Sequence, residues 1–151
     1  GVSFEGCTFT TGGTASANGA AIRYYNENNN GQVKNITVKD CSFTNCYQGV
    51  YVQNVNGVTV VGNEFETTGH NAIGVQGSCD LKNVVINNNT FNDIRDRIIR
   101  FNNVGADSYI EIRDNVATNS GDENGEVIKA TSIAKGVVTF IKDNDWVNRT
   151  C

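Results

Sequence analysis

Apolar residues in this chain come in short bursts with a period of two, and the bursts themselves recur every few tens of residues. VSFEGCTF from Val2, ITVKDCSF from Ile36, VTVVGNEF from Val58, VVINNNTF from Val84, IEIRDNVA from Ile110 and TFIKDNDW from Thr139 align as one motif. Each copy has an apolar or β-branched residue, another two positions on, then Asn or Cys, then in most copies an aromatic ring. The starts lie 34, 22, 26, 26 and 29 residues apart, about the length of one solenoid coil with loops of unequal size. A second burst follows in the first five units: AIRY from Ala21, GVYV from Gly49, AIGV from Ala72, IIRF from Ile98 and VIKA from Val127. The pairs Ile22/Tyr24, Val50/Val52, Ile73/Val75, Ile99/Phe101 and Ile128/Ala130 alternate as a strand with one buried face does.

Short repeated strands could also build an antiparallel sandwich, but that fold needs hairpin turns between neighbours. Here like residues recur a full unit apart, which predicts an all-β right-handed parallel β-helix of about six coils, with residues 1–151 as one domain. Stacking the units about 4.8 Å apart aligns Phe9, Phe43, Phe65, Phe91 and Trp146 in one internal column, interrupted by Ala117. It aligns Phe4, Val38, Val60, Ile86, Ile112 and Ile141 in another. A third column, Cys7, Cys41, Asn63, Asn89, Asn115 and Asn144, reads as an asparagine ladder at a repeated turn. Asn tolerates left-handed backbone, and its amide can bond to the next coil. The preceding residues, Gly6, Asp40, Gly62, Asn88, Asp114 and Asp143, are turn formers too.

With these columns the chain resembles the pectate-lyase-like superfamily of right-handed parallel β-helices, whose repeats read I-x-[IV]-x-x-N-x-F. The resemblance spans almost the whole chain and implies the fold far more than a function, since this architecture hosts lyases, hydrolases, epimerases, tailspikes, adhesins and spacers. The carboxylate and Gly-His motifs of the superfamily's polygalacturonases, and the pattern of its pectate lyases, are incomplete here, so no catalytic residue is carried over. Neither end shows the capping helix usual in the superfamily. The expectation is a module of a larger protein, with flanking domains, or a unit that associates end to end.

The outward positions of the second burst form a column of Arg23, Tyr51, Gly74, Arg100 and Lys129, beside another of Tyr25, Gln53, Gln76, Asn102 and Thr131. Cations, amides and rings together suit uronate carboxylates and sugar hydroxyls. Arg23, Tyr25, Tyr51, Gln53, Gln76, Asn102 and Lys129 are therefore the candidate substrate-binding residues, with Gly74 leaving a notch between Tyr51 and Arg100. The competing reading is an ordinary polar strand face. Just before the second burst, equivalent positions hold Tyr47, His70 and Asp96, with Asp93, Arg95 and Arg97 beside the last. Tyr47, His70, Asp96 and Arg100 are the candidate catalytic group. His70 or Tyr47 would take a proton, and Arg95, Arg97 or Arg100 would stabilise the resulting enolate. The alternative for the run DIRDR is a self-paired, solvated turn.

The net charge of −4 argues against a nucleic-acid partner, and no apolar run approaches the roughly 18 residues of a membrane span. Five Cys without a CxxC pair give neither a full disulfide framework nor a zinc site. Cys7 and Cys41 admit a disulfide or two stacked buried thiols, the second being favoured. No metal or cofactor is expected. GDENGE at residues 121–126 hints at Ca²⁺ but departs from the spacing of an EF-hand and reads better as a loop. Sequons begin at Asn35, Asn88 and Asn148, as chance allows in so Asn-rich a chain. Two low-complexity loops, residues 10–19 and 26–32, lie near Arg23 and Tyr25. The reading that results is a carbohydrate-recognising β-helix module of an extracellular or cell-surface protein, with a polysaccharide as partner. Lyase, epimerase or hydrolase activity is left open, and a non-catalytic stalk, spacer or self-stacking fibre unit is the alternative.

Overall fold

The computed structural model describes residues 1–16, 19–26, 33–77, 83–122 and 126–148. Among the described residues, seventeen strands form three parallel sheets, and each pairs with its equivalent one coil away. The first sheet contains β1 (Val2–Glu5), β4 (Ile36–Lys39), β7 (Gly57–Val61), β10 (Asn83–Asn87), β13 (Tyr109–Arg113) and β16 (Val138–Lys142). The second contains β2 (Thr8–Thr10), β5 (Ser42–Cys46), β8 (Glu64–Thr68), β11 (Thr90–Ile94), β14 (Val116–Ser120) and β17 (Asp145–Asn148). The third contains β3 (Ala20–Tyr24), β6 (Gln48–Gln53), β9 (Ile73–Gln76), β12 (Ile99–Asn102) and β15 (Ile128–Thr131). Five coils thus carry a strand in each sheet and the sixth carries two, slightly short of six full coils.

The expected columns are present in register. Phe4, Val38, Val60, Ile86, Ile112 and Ile141 pair in succession through the first sheet. Phe9, Phe43, Phe65 and Phe91 lead to Ala117 and Trp146 in the second. The ring centroids of the four Phe lie 4.9, 4.6 and 5.1 Å apart with interplanar angles of at most 13°. Near-parallel rings at these separations lie in the range that stacked aromatic pairs prefer, and the spacing of the strands sets it. Gly49 makes room for it, because a Cβ there would lie 2.5 Å from the Phe65 ring and 2.8 Å from the Ala72 carbonyl oxygen.

The two-residue turn between the first and second sheets splits what reads in sequence as one continuous burst. Its left-handed residues are Gly6, Asp40, Gly62, Asn88, Asp114 and Asp143, with φ from 51° to 70°. The residue before the ladder takes the turn, and the buried Asn is freed to hydrogen-bond. Asn63, Asn89 and Asn115 each donate from Nδ2 to the next ladder Oδ1 at 2.8–3.0 Å and to a carbonyl of the preceding coil at 2.8–2.9 Å. Their backbone N–H groups bond to the same Oδ1 atoms at 3.0–3.1 Å. Cys7 and Cys41 continue the column as free thiols, with the Cys7 N–H 3.4 Å from Cys41 Sγ. Cys46 is a third free thiol and, like Cys41 but unlike the partly exposed Cys7, is buried; Cys79 and Cys151 lie outside the described residues.

A second left-handed column, Asn45, Thr67, Asp93 and Asn119 at φ 49–56°, bends each chain from the second sheet towards the third. The short corners that follow span one residue in the second coil and four in the third and fourth: Tyr47, residues 69–72 and residues 95–98. The first and fifth coils carry longer insertions at this same corner, residues 11–19 and 121–127.

Candidate functional site

Tyr47, His70 and Asp96 occupy those three short corners, so consecutive coils bring them together. The His70 N–H donates to the Tyr47 carbonyl at 2.8 Å, and the two rings stack with centroids 5.1 Å apart. His70 Nε2 lies 3.2 Å from Asp96 Oδ2. An ionised carboxylate only accepts, so Nε2 carries the imidazole proton. Nδ1 is then the acceptor, and the side-chain amides of Gln48, at 3.3 Å, and Asn71 both reach it. Burial pushes the His70 pKa below its ordinary value; Asp96 works against that shift, and Arg100 and Arg97 add to it. The imidazole is therefore neutral at neutral pH, the form that accepts a proton.

His70 and Tyr47 open into a cleft of about 340 Å³. Arg23, Tyr51, Gln76, Arg100 and Asn102 line its third-sheet side, and Ser16 and Gly19 of the first-coil loop also line it. That loop crosses the coils: the Gly13 N–H bonds to the Asn45 carbonyl at 3.1 Å, and Arg95 Nη1 reaches Thr14 Oγ1 at 3.5 Å. Gly69 lets it lie close, since a Cβ there would be 2.1 Å from the Thr14 carbonyl oxygen. Gly74 forms the notch, and an added Cβ would come within 3.0 Å of the Tyr51 ring.

The outward column pairs in the expected order Arg23, Tyr51, Gly74, Arg100, Lys129. Arg23 sits between two rings, its Cζ 5.4 Å from the Tyr25 centroid and 5.9 Å from that of Tyr51. The Tyr51 hydroxyl donates to Gln76 at 2.8 Å and lies 3.3 Å from Gln53. Burial, more than the nearby Tyr25, pushes its pKa up, so it remains a phenol. Tyr25, Gln53 and Lys129 lie outside the cleft lining. Lys129 instead faces Glu126 at 3.4 Å.

The cations near the corner divide by what they touch. Arg97 binds Asp96, Asp122 and Glu126, and Arg95 lies 3.9 Å from Asp93. Among the described residues, Arg23 and Arg100 have no carboxylate partner. Of the three cations named for an enolate, Arg100 is thus the one on the cleft and without an acid. Gln48 and Asn71 were not among the sequence candidates; their place beside Tyr47 and His70 in the corner column was the available signal. In the GDENGE loop, residues 123–125 lie outside the described residues, while Asp122 and Glu126 are engaged with Arg97. No group of His, Cys, Asp and Glu that could hold a metal occurs among the described residues.

Three parallel sheets, a coil-to-coil Asn ladder and a cleft at one corner define a parallel β-solenoid with a candidate ligand site. Residues 1–140 match the family described as right-handed beta helix region, and the chain belongs to that family. No curated protein and no solved structure matches it.

Proposed function

We propose that this β-helix module binds an acidic polysaccharide in the corner cleft and removes a proton from it, as a lyase of the pectate-lyase-like kind does. The observation that carries the reading is the Asp96–His70 pair, whose neutral imidazole borders a cleft that also presents Arg23 and Arg100. A uronate carboxylate held by Arg100 makes the adjacent C–H acidic. His70 Nδ1 takes that proton once the substrate displaces the Gln48 and Asn71 amides. The electron pair forms a C=C bond as the C–O bond to the neighbouring sugar breaks, and the departing oxygen takes up a proton from Tyr47 or water. Asp96 stabilises the imidazolium. Arg23 holds a second carboxylate three strand steps away, roughly 14 Å at ordinary strand spacing. Such a polymer is met outside the cell or at its surface, which is where the module would act.

The test is binding and ultraviolet-monitored cleavage across acidic and neutral polysaccharides, for the wild type, His70→Ala and Arg100→Ala. Absorbance from an unsaturated product that disappears in both variants supports the lyase. Binding without cleavage, lost only in Arg100→Ala, leaves a recognition module. No binding to any glycan overturns the reading and leaves a structural solenoid.

A further inference from the structure

Arg97 is next to the site and contributes no free charge to it. Its Nη1 bonds Asp96 Oδ1. Nη2 reaches Asp122 Oδ2 at 2.9 Å and Glu126 Oε2 at 2.6 Å, and Nε reaches the same Glu126 oxygen at 2.8 Å. The side chains of Arg97, Asp96 and Asp122 are 19 %, 13 % and 9 % exposed, so these three are largely withdrawn from water, with Glu126 at the more exposed rim. The acidic pair is itself braced: Asp122 Oδ1 accepts the Glu126 N–H at 2.7 Å, and the Asp122 N–H donates to the Glu126 carbonyl at 3.3 Å. The fifth-coil insertion therefore grips an arginine of the fourth coil, and that arginine grips the carboxylate that meets His70 of the third.

We propose that Arg97 is a positioning residue: it fixes Asp96 through Oδ1 so that Oδ2 faces His70, while Asp122 and Glu126 hold Arg97 in place. This rests on the reading of His70 as the base. A planar guanidinium can serve three carboxylates in fixed directions, which the point charge of lysine cannot do. The two loop acids also offset the charge of Arg97, so Asp96 is oriented without an unbalanced cation against the imidazole. The ionised groups bearing on His70 are Asp96, Arg97 and Arg100, with the phenol of Tyr47 stacked on its ring.

His70 is the one histidine in the chain, so its imidazole NMR signals report on the arrangement in the intact protein with no substrate. Asp96→Asn should lower the His70 titration midpoint, because the carboxylate favours the imidazolium. If Arg97 positions Asp96, that effect should shrink by at least half in an Arg97→Met background and equally in Arg97→Lys. The Nε2 proton, held by Asp96, should exchange at least tenfold faster in both than in the wild type. Glu126→Gln, which loosens the grip without removing Arg97, should fall between and serves as the readout if the Arg97 variants do not fold. An Asp96→Asn effect of equal size in all backgrounds would overturn the proposal. Failure of every glycan to be cleaved would sink the lyase and leave this result standing. Where cleavage occurs, Arg97→Lys should lower kcat at least tenfold with KM unchanged, in contrast to Arg100→Ala, which should raise KM.

Discussion

Asn89 is the sharpest test of the idea that the ladder holds the coils in register. Its side chain is fully buried and takes part in four hydrogen bonds. Nδ2 donates to the Val60 carbonyl at 2.9 Å and to Asn115 Oδ1 at 3.0 Å. Oδ1 accepts from the backbone N–H and the Nδ2 of Asn63, each at 3.0 Å. Asn89→Ala removes all four and leaves the Asn63 N–H and the Val60 carbonyl buried without these partners. A net hydrogen bond contributes about 1 kcal/mol and an orphaned buried group costs about 1–3 kcal/mol, so a loss of about 4 kcal/mol is expected, a large share of the 5–15 kcal/mol typical of a domain. Asn89→Cys should lose less, because a sulfur accepts in this column where Cys41 faces the Cys7 N–H. The exposed neighbour Asn88, at φ 54°, is the control: Ala there should cost only about 1–2 kcal/mol, for the left-handed backbone. Urea unfolding followed by far-ultraviolet circular dichroism, with the m-value monitored, measures all three. An Asn89→Ala loss no larger than that of Asn88→Ala would refute the argument.

Two further expectations come from single positions. Thr67 holds φ 53° in a corner column where Asn45, Asp93 and Asn119 are the other members, and a β-branched residue is the worst suited of these to left-handed backbone. Thr67→Asn should stabilise the protein by about 1 kcal/mol, read as a higher urea midpoint at unchanged m. Burial holds the His70 pKa below its unfolded value, so at intermediate pH the unfolded chain binds the extra proton. The stability that follows is fully present above about pH 6.5 and is lost as pH falls through the folded pKa. His70→Gln should flatten that part of the urea-midpoint profile, and identical slopes in the two proteins would show that His70 does not carry it.

The columns were legible because a parallel solenoid repeats one environment per coil, so the residues at Phe9, Phe43, Phe65 and Phe91 answer to the same packing demand. The division of the first burst between two sheets was not. The ladder turn is two residues long and lies inside an unbroken alternating pattern, and only the φ values show that Asp40 or Asn88 makes the bend while Asn63 or Asn89 staples it. The second corner column was hidden because Thr67 interrupts an otherwise Asx-rich series. Tyr47, His70 and Asp96 could be placed together because each stands two residues before the second burst of its coil, at Gly49, Ala72 and Ile98. The commitments of Arg97 and Lys129 could not be read, because Asp122 and Glu126 come from an insertion of irregular length.

The repeat supplies spacing, and the departures from it supply the cleft. Any solvent-facing column brings side chains to one strand spacing of each other, about 4.8 Å, too close for a run of like charges without partners. In the third sheet that conflict is relieved in two ways: Tyr51 and Gly74 separate Arg23 from Arg100, and Glu126 draws off Lys129 beside it. What is left is a pair of arginines with a notch between them, facing a corner where one insertion walls the first coil and another anchors Arg97 from the fifth. The two long corner loops, which look like interruptions of the pattern, thus bracket the three coils that carry Tyr47, His70 and Asp96. A spacer would need only the internal columns to stack, and those columns place no demand on where the insertions fall. A recognition or proton-transfer reading uses the Tyr47, His70 and Asp96 side chains at that corner and the two arginines beside it, unpaired among the described residues, and a purely structural solenoid needs none of them.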